Sequence, residues 1–427
     1  MNYLLSIIMI YAVFVLAHDK RVEVICWRVL FISLSVHVSL FYLFTYEHYV
    51  GRQNVGIAVT LTDILSIGLL LRYALRRRRT NQCEFHAVRK YTLYFGFACL
   101  SLFYSFSRGM TINELGTQVE LLCLMALLLF YMKKEYFKLY TEALLLNSYT
   151  EAILCLYQAK TGVNFRGSDA LVLRYGVYRC QGLYITPAEL ALISIVTFFV
   201  FLILLMNKET LIKRKWLKIG IVSSVFCVIA AQSRVGFVIM ALGLIFLAII
   251  RSNSIKTNSK ALLRISVIVG IVAVGIMFVL GEIDFGNSAD MALSRFKMWE
   301  MGMKVFQTSP LLGVGINSYT AFNIDFSTSS LFWEKSNPVH NIYIMELAET
   351  GLIGFIILYA NYYVSLLTYC YRRMKRNYYL EILFIVLVVQ LIYGFTGWVF
   401  YSPSLRFYNV ALFMILLVMG SKNCSDA

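Results

Sequence analysis

"NPVHNIYIMELAETGLIGF", residues 337–355, passes directly from a polar segment into an apolar one. It puts His340, Glu346 and Glu349 at the mouth of what reads as a membrane helix. Hydrocarbon does not solvate ionisable groups, so groups placed there need a purpose. The rest of the chain supports the membrane reading. Of its 427 residues 59% are hydrophobic and only 15% charged, more apolar surface than a soluble protein hides. The formal net charge of +16 would suit nucleic acid in a soluble protein. Here Lys and Arg cluster in short connectors between apolar runs, which fits the positive-inside rule, and nucleic acid is not an expected partner.

Spans of the length a bilayer requires fall near 2–17, 25–45, 54–74, 91–107, 115–132, 137–157, 186–206, 217–232, 234–250, 263–280, 343–370, 379–400 and 405–420. The expected fold class is therefore all-α. It is a polytopic membrane protein of about 12–13 transmembrane helices, one integral membrane domain over 1–427. Basic connectors, among them Arg76 to Arg79, "KKEYFK", "NKETLIKRKWLK" and "YRRMKRN", alternate along the chain and should be cytoplasmic. The large segment 281–342, between the tenth and eleventh spans, then becomes an extracytoplasmic loop, and the C-terminus lies inside. The N-terminus lacks a basic n-region and an A-x-A-like site and reads as a first membrane helix. The nine cysteines lie mostly in apolar runs and form no C-x-x-C pair, so they read as small buried hydrophobes.

All four prolines (Pro187, Pro310, Pro338, Pro403) fall at outward-facing ends, where shaped backbone and chemistry are expected together. Three arginines and a histidine share that side. "YRCQGLYITPAEL" supplies Arg179, the tight hairpin "AAQSRVGFV" supplies Arg234, the long segment supplies Arg295, and His340 closes it. A guanidinium offers a planar fork that matches phosphate oxygens, and imidazole accepts a proton near neutral pH. Each has a plainer alternative: an interfacial arginine snorkels to head groups, and His340 could bond a loop carbonyl. "GVGINS" carries two of the three glycines of a dinucleotide fingerprint and follows a proline, so it reads as a tight turn. If 340–354 is one continuous helix, His340, Tyr343, Leu347, Gly351 and Gly354 share a face, and the glycines admit a close helix. Glu346 and Glu349 point elsewhere and take structural or orienting roles.

These segments carry a resemblance. "HNIYIMELAETGLIG" resembles the signature of the bacterial O-antigen polymerase and ligase family, His-Asn-x-Tyr through Ala-Glu-x-Gly to a final Gly. "RFKMWEMGMKVFQTSPLLGVG" is similar to its Arg, Trp, Pro-Leu and Gly-x-Gly element, with Pro310, Gly313 and Gly315 as structural positions. "RCQGLYITP" and "SRVGF" resemble its remaining two elements, in the same order over roughly 179–354. The family often has Asn where this chain has Ala188.

The resemblance implies a membrane-embedded, metal-independent glycosyltransferase with no cofactor, working at the outer face of the bacterial cytoplasmic (inner) membrane. Its partners would be an undecaprenyl-pyrophosphate-linked glycan donor and acceptor, membrane lipid and a chain-length regulator protein. Arg179, Arg234 and Arg295 would hold the donor pyrophosphate, Tyr343 would join the substrate-binding set, and His340 would be the base. Glu349, Gly351 and Gly354 would orient the site. Trp299, Tyr319, Phe332 and Trp333 are candidates for stacking on sugar rings, or for interfacial anchoring.

Other classes remain. A polysaccharide or lipid transporter would use polar groups at mid-membrane, as Arg28, Asp63 and Glu120 could be, but no internal repeat accompanies them. A non-catalytic glycan-binding subunit is a further alternative. Within the family, a ligase acceptor rich in phosphates would favour a cationic outer surface. Segment 281–340 carries six acids (Glu282, Asp284, Asp290, Glu300, Asp325, Glu334) against four bases (Arg295, Lys297, Lys304, Lys335). That balance favours polymerisation of surface-polysaccharide repeat units over ligation to lipid A-core, although the outer segment 158–185 is basic.

Overall fold

The structure, a computed structural model, describes all residues except 1, 36–38, 46–55, 76–85, 167–169, 175, 208–210, 253–284, 327–336, 398–399 and 423–427. The expected span 263–280, the Arg76–Arg79 cluster, Phe332 and Trp333 lie outside the described residues. In chain order the helices begin with α1 Asn2–Leu16, α2 Lys20–Ser35, α3 Leu61–Leu75, α4 His86–Tyr104 and α5 Arg108–Tyr131. Next come α6 Tyr136–Thr161, α7 Pro187–Met206, α8 Arg214–Ala230, α9 Arg234–Ser252 and α10 Phe285–Thr308. The last are α11 Tyr319–Phe326, α12 Ile342–Phe355, α13 Val364–Arg373, α14 Tyr378–Tyr393 and α15 Pro403–Lys422. A π-helical stretch, Ile356–Tyr363, joins α12 to α13.

The chain is a helical membrane protein. Among the described residues four helical runs are long and apolar enough to cross a bilayer: Arg108–Tyr131, Pro187–Met206, Arg234–Arg251 and Ile342–Arg373. Shorter apolar helices occupy Leu4–Leu16, Tyr378–Tyr393 and Leu405–Ser421. Two expected spans, 25–45 and 54–74, take a different form in part. The run 25–45 is helical only to Ser35, and β1 Ser39–Thr45 then pairs antiparallel with β2 Gly56–Thr60. "SLFYLFT" and "GIAVT" are aromatic and β-branched, and mean hydropathy does not separate a strand from a helix. Segment 281–342, expected as a loop, contains α10 and α11.

The fold divides into two compact units. The first comprises Met1–Lys134, Ala289–Tyr369 and Gly394–Ala427. Its α5 packs against α3, α4 and α15, and Trp27, Phe31, Tyr408 and Phe413 are among its fully buried side chains. The second comprises Glu135–Ser288 and Cys370–Tyr393. There α7 is apolar on every side and packs against α8, α9 and α14, as a helix hydrophobic all round must. Arg251 of α9 forks onto both carboxylate oxygens of Glu381 at 2.6 and 2.7 Å, a bidentate pair tying α9 to α14.

Candidate functional site: a broken helix, a buried polar chamber and an arginine turn

The signature helix starts two residues later than a continuous wheel over 340–354 requires. The Asn341 side chain accepts the amides of Tyr343 and Ile344 at 3.0 and 3.2 Å, so it caps α12. His340 therefore lies before the helix, half-buried, in the segment that leads into it. Inside α12, Gly351 adopts φ 63° and ψ −168°, which interrupts the helical ladder. The shared face expected for His340, Tyr343, Leu347, Gly351 and Gly354 does not form. Its geometry assumed a continuity that the cap and the break remove.

The break is filled by the Pro-Leu-Gly-x-Gly segment. The amides of Leu352 and Ile353 donate to the carbonyls of Pro310 and Leu311 at 2.8 and 3.2 Å. In return, Val314 and Gly315 donate to the carbonyls of Ala348 and Glu349 at 3.0 and 2.9 Å. Four bonds thus replace those the helix gives up, which is how irregular backbone survives at membrane depth. Gly313 and Gly315 both have positive φ, as this path requires. At Gly351 a Cβ would stand 2.6 Å from the Leu312 amide nitrogen and nearer still to the Leu311 carbonyl, so the close neighbour is this segment's backbone. At Gly354 a Cβ would meet Phe97 of α4 at 2.7 Å.

Both glutamates of the signature are buried. Glu349 accepts the amides of Asn317 and Tyr319 at 2.9 and 3.1 Å and the Tyr401 hydroxyl at 2.9 Å. Glu346 takes the Tyr94 hydroxyl at 2.7 Å and the Thr350 hydroxyl at 3.0 Å, with Tyr401 at 3.4 Å. Burial beside the two carboxyl groups pushes the Tyr401 phenol well above its ordinary range, so it remains a donor. Tyr343 stacks at a tilt on Tyr359 and Phe395, with centroids 5.0 and 4.6 Å apart. Tyr319, a candidate sugar platform, is fully buried in a core cluster with Val305, Val339 and Met345, against which Trp299 packs. That removes Tyr319 as an exposed stacking surface.

Below the break lies a small chamber of about 70 Å³ whose lining joins α4, α5, α12, the π-helical stretch and α15. Arg406 of α15 pairs there with Glu114 of α5, and Gln118 donates to the same carboxylate oxygen at 2.7 Å. Tyr91 in turn donates to Gln118, and the Arg406 guanidinium lies 5.3 Å from the Tyr401 ring. Sequence reasoning missed Glu114 and Arg406. The signal was available, because each is an ionisable residue inside an apolar run. The same signal also finds Asp63, which is used locally: it accepts the Thr60 amide at 2.8 Å at the start of α3.

The second unit carries two of the three arginines. Arg179 donates from Nε to the carbonyl of Ala231 at 2.9 Å, which seats it on the α8–α9 turn that leads to Arg234 at the start of α9. The adjoining Cys180 amide donates to Ala230 at 3.0 Å. The turn that follows them is held by α6. Gln158 accepts the amides of Gln181 and Gly182 at 3.1 and 2.8 Å, and Glu151 accepts that of Leu183 at 3.1 Å. Gly182, at φ 60°, faces the Glu151 carboxylate so closely that no Cβ fits. Thr186 then caps α7, accepting the Glu189 amide at 3.2 Å, with Pro187 in the first turn. These contacts account for the Arg-x-x-Gly…Pro spacing. Arg295 belongs to the first unit and is exposed on α10.

The geometry defines a class: a helical membrane protein whose polar groups are organised around one broken helix and one arginine-bearing turn. Residues 219–359 match the family model described as O-antigen ligase. The chain is also 30% identical over 149 residues to the exopolysaccharide production protein ExoQ of Rhizobium meliloti (strain 1021), covering 31% of this chain. The alignment spans 33% of that relative's length. Over these residues the chain is similar to the O-antigen ligase family and to a protein of exopolysaccharide production.

Proposed function

We propose that the chain polymerises surface-polysaccharide repeat units at the outer face of the inner membrane. It transfers a glycan from undecaprenyl pyrophosphate to the sugar end of another lipid-linked unit. The acceptor oxygen bonds to the anomeric carbon while the bond from that carbon to the pyrophosphate breaks. His340 takes the acceptor's proton, and the leaving pyrophosphate keeps the electron pair. Arg179, Arg234 and Arg295 meet that charge, a role guanidinium forks can fill without a metal. The observation that carries the reading is the seating of Arg179 on the turn that leads to Arg234, two guanidinium groups supplied by adjacent backbone. Within the matched region 219–359 lie Arg234, Arg295 and His340.

Polymerase is preferred over ligase for two reasons. The acids of 281–340 outnumber its bases, and the relative's name refers to an exopolysaccharide rather than to lipid A-core. A deletion strain tests the choice. Single repeat units should persist on the surface glycolipid while long chains disappear; long chains stranded on undecaprenyl pyrophosphate would identify a ligase instead.

A further inference from the structure

Three cysteines of the second unit take no part in the transfer step, yet they meet at one point. Cys155 of α6, Cys180 beside Arg179 and Cys227 of α8 are free thiols, each at most 1% exposed. Cys155 stands between the other two, its thiol in side-chain hydrogen-bonding contact with both. The Cys180 thiol also donates to the Cys155 carbonyl at 3.2 Å. Among the described residues no group of three His, Cys, Asp or Glu side chains is arranged to hold a metal ion, so the chemistry open to the cluster is oxidation.

The geometry selects one pair. A disulfide needs Cα atoms roughly 4.4–6.8 Å apart. Packed helices stand about 8–10 Å apart from axis to axis, a poor setting for a bond from α6 to α8. The Cys180 segment has no helical radius and comes closer. Glu151, Cys155 and Gln158 are spaced by four and three residues, so they share one face of α6. All three touch the same short stretch. Glu151 accepts the Leu183 amide at 3.1 Å, Gln158 accepts the amides of Gln181 and Gly182 at 3.1 and 2.8 Å, and Cys155 receives the Cys180 thiol. Gly182 lies so close to this face that no Cβ fits. Cys155 and Cys180 thus face each other across a contact that their neighbours already fix.

We propose that Cys155 and Cys180 form a disulfide that fastens the Arg179 segment to α6, with Cys227 left as a thiol. Segment 158–185 faces the extracytoplasmic side in the function proposed above, and the inference rests on that orientation. Protein dithiols there are oxidised by exchange with the disulfide of an oxidant protein. The Cys180 thiolate attacks that disulfide and expels one of its thiolates. The Cys155 thiolate then attacks the Cys180 sulfur of the mixed disulfide and expels the other. The oxidant leaves as a dithiol, carrying two electrons and the two protons the cysteines gave up. Both sulfurs are buried in the folded protein, so exchange precedes closure of the segment on α6, and burial afterwards shields the bond from reductant.

The test uses the full chain in its native membrane. Cells are quenched in acid to stop exchange, the protein is unfolded in detergent, and free thiols are blocked with N-ethylmaleimide. Unreduced peptides are then weighed. In most copies the Cys155 peptide should be joined to the Cys180 peptide, with Cys227 carrying maleimide; Cys180→Ser should leave Cys155 carrying maleimide as well. Maleimide on both Cys155 and Cys180 of the parent, or either one joined to a different cysteine, overturns the proposal. Orientation is read separately by a membrane-impermeant maleimide on Val172→Cys, an exposed position of the same segment, in cells with sealed cytoplasmic membranes. Unlinked thiols with Val172→Cys labelled reject the disulfide alone. Unlinked thiols with Val172→Cys protected reject the outward orientation too.

Discussion

Oε2 of Glu349 accepts the backbone N–H of Asn317 at 2.9 Å, a side-chain link between the signature helix and the glycine-rich segment that adds to their four backbone bonds. The same carboxylate takes two further donors, the Tyr319 amide and the Tyr401 hydroxyl. Glutamine keeps the shape but has a single acceptor oxygen, so at least one of the three donors would face an amide N–H. Glu349→Gln should destabilise the protein by about 1–3 kcal/mol, and Glu349→Ala by more. Thermal unfolding of detergent-purified protein measures both. A Glu349→Gln protein that unfolds with the parent would remove the carboxylate from this role.

Gly351 offers a sharper contrast. Alanine there meets both a positive φ and the backbone of Leu311 and Leu312, which cannot withdraw without losing the four exchanged bonds. At Gly96, on α4, nothing lies within 4 Å of an added Cβ. Gly351→Ala should therefore abolish glycan product and reduce membrane abundance, while Gly96→Ala should match the parent in both. Immunoblots beside glycan gels compare them directly.

Much of this was legible in the sequence, and what was not has physical reasons. The four quoted motifs contain the segments that hold Arg179, bear Arg234, fill the helix break and supply Glu349. The break itself was hidden, because a helical wheel assumes the continuity that a positive-φ glycine destroys. The Glu114–Arg406 pair was hidden because its members lie 292 positions apart, and either alone resembles a stray charge in an apolar run. The hairpin of Ser39–Thr45 and Gly56–Thr60 was missed because apolar content was read without its period.

The Glu114–Arg406 pair makes its own prediction. Both side chains are buried, with relative exposures of 5% and 8%. Removing one leaves an uncompensated buried charge, which costs on the order of 3–5 kcal/mol. Arg406→Met and Glu114→Gln should each reduce the amount of folded protein severely. The double variant should recover a substantial part of the loss, because neither charge is then stranded. Additive losses in the double variant would show that the two groups are not coupled.

His340 is expected to act chemically rather than structurally, since it lies ahead of the Asn341 cap and outside the helix. His340→Ala should eliminate chain extension with membrane abundance and unfolding temperature unchanged. Near-normal glycan chains in the variant would exclude the base role.

Arg179 separates charge from geometry. Its Nε is occupied by the Ala231 carbonyl at 2.9 Å, and its own amide is bonded to Val172 at 2.8 Å, so both side chain and backbone are held against the turn that leads to Arg234. A guanidinium fixed through Nε keeps its orientation while its other edge addresses a ligand; an ammonium has neither the fork nor a second attachment. If Arg179 binds the donor's pyrophosphate through that geometry, Arg179→Lys should lose activity nearly as completely as Arg179→Ala. A fall of at least about tenfold is expected, the scale of one charge-assisted hydrogen bond lost. The assay is transfer by purified protein from a defined lipid-linked donor, with donor concentration varied so that weaker binding and slower turnover are read separately. Lysine restoring most of the rate would mean that position 179 supplies positive charge alone, and the seating on Ala231 would then be a packing contact without consequence for transfer.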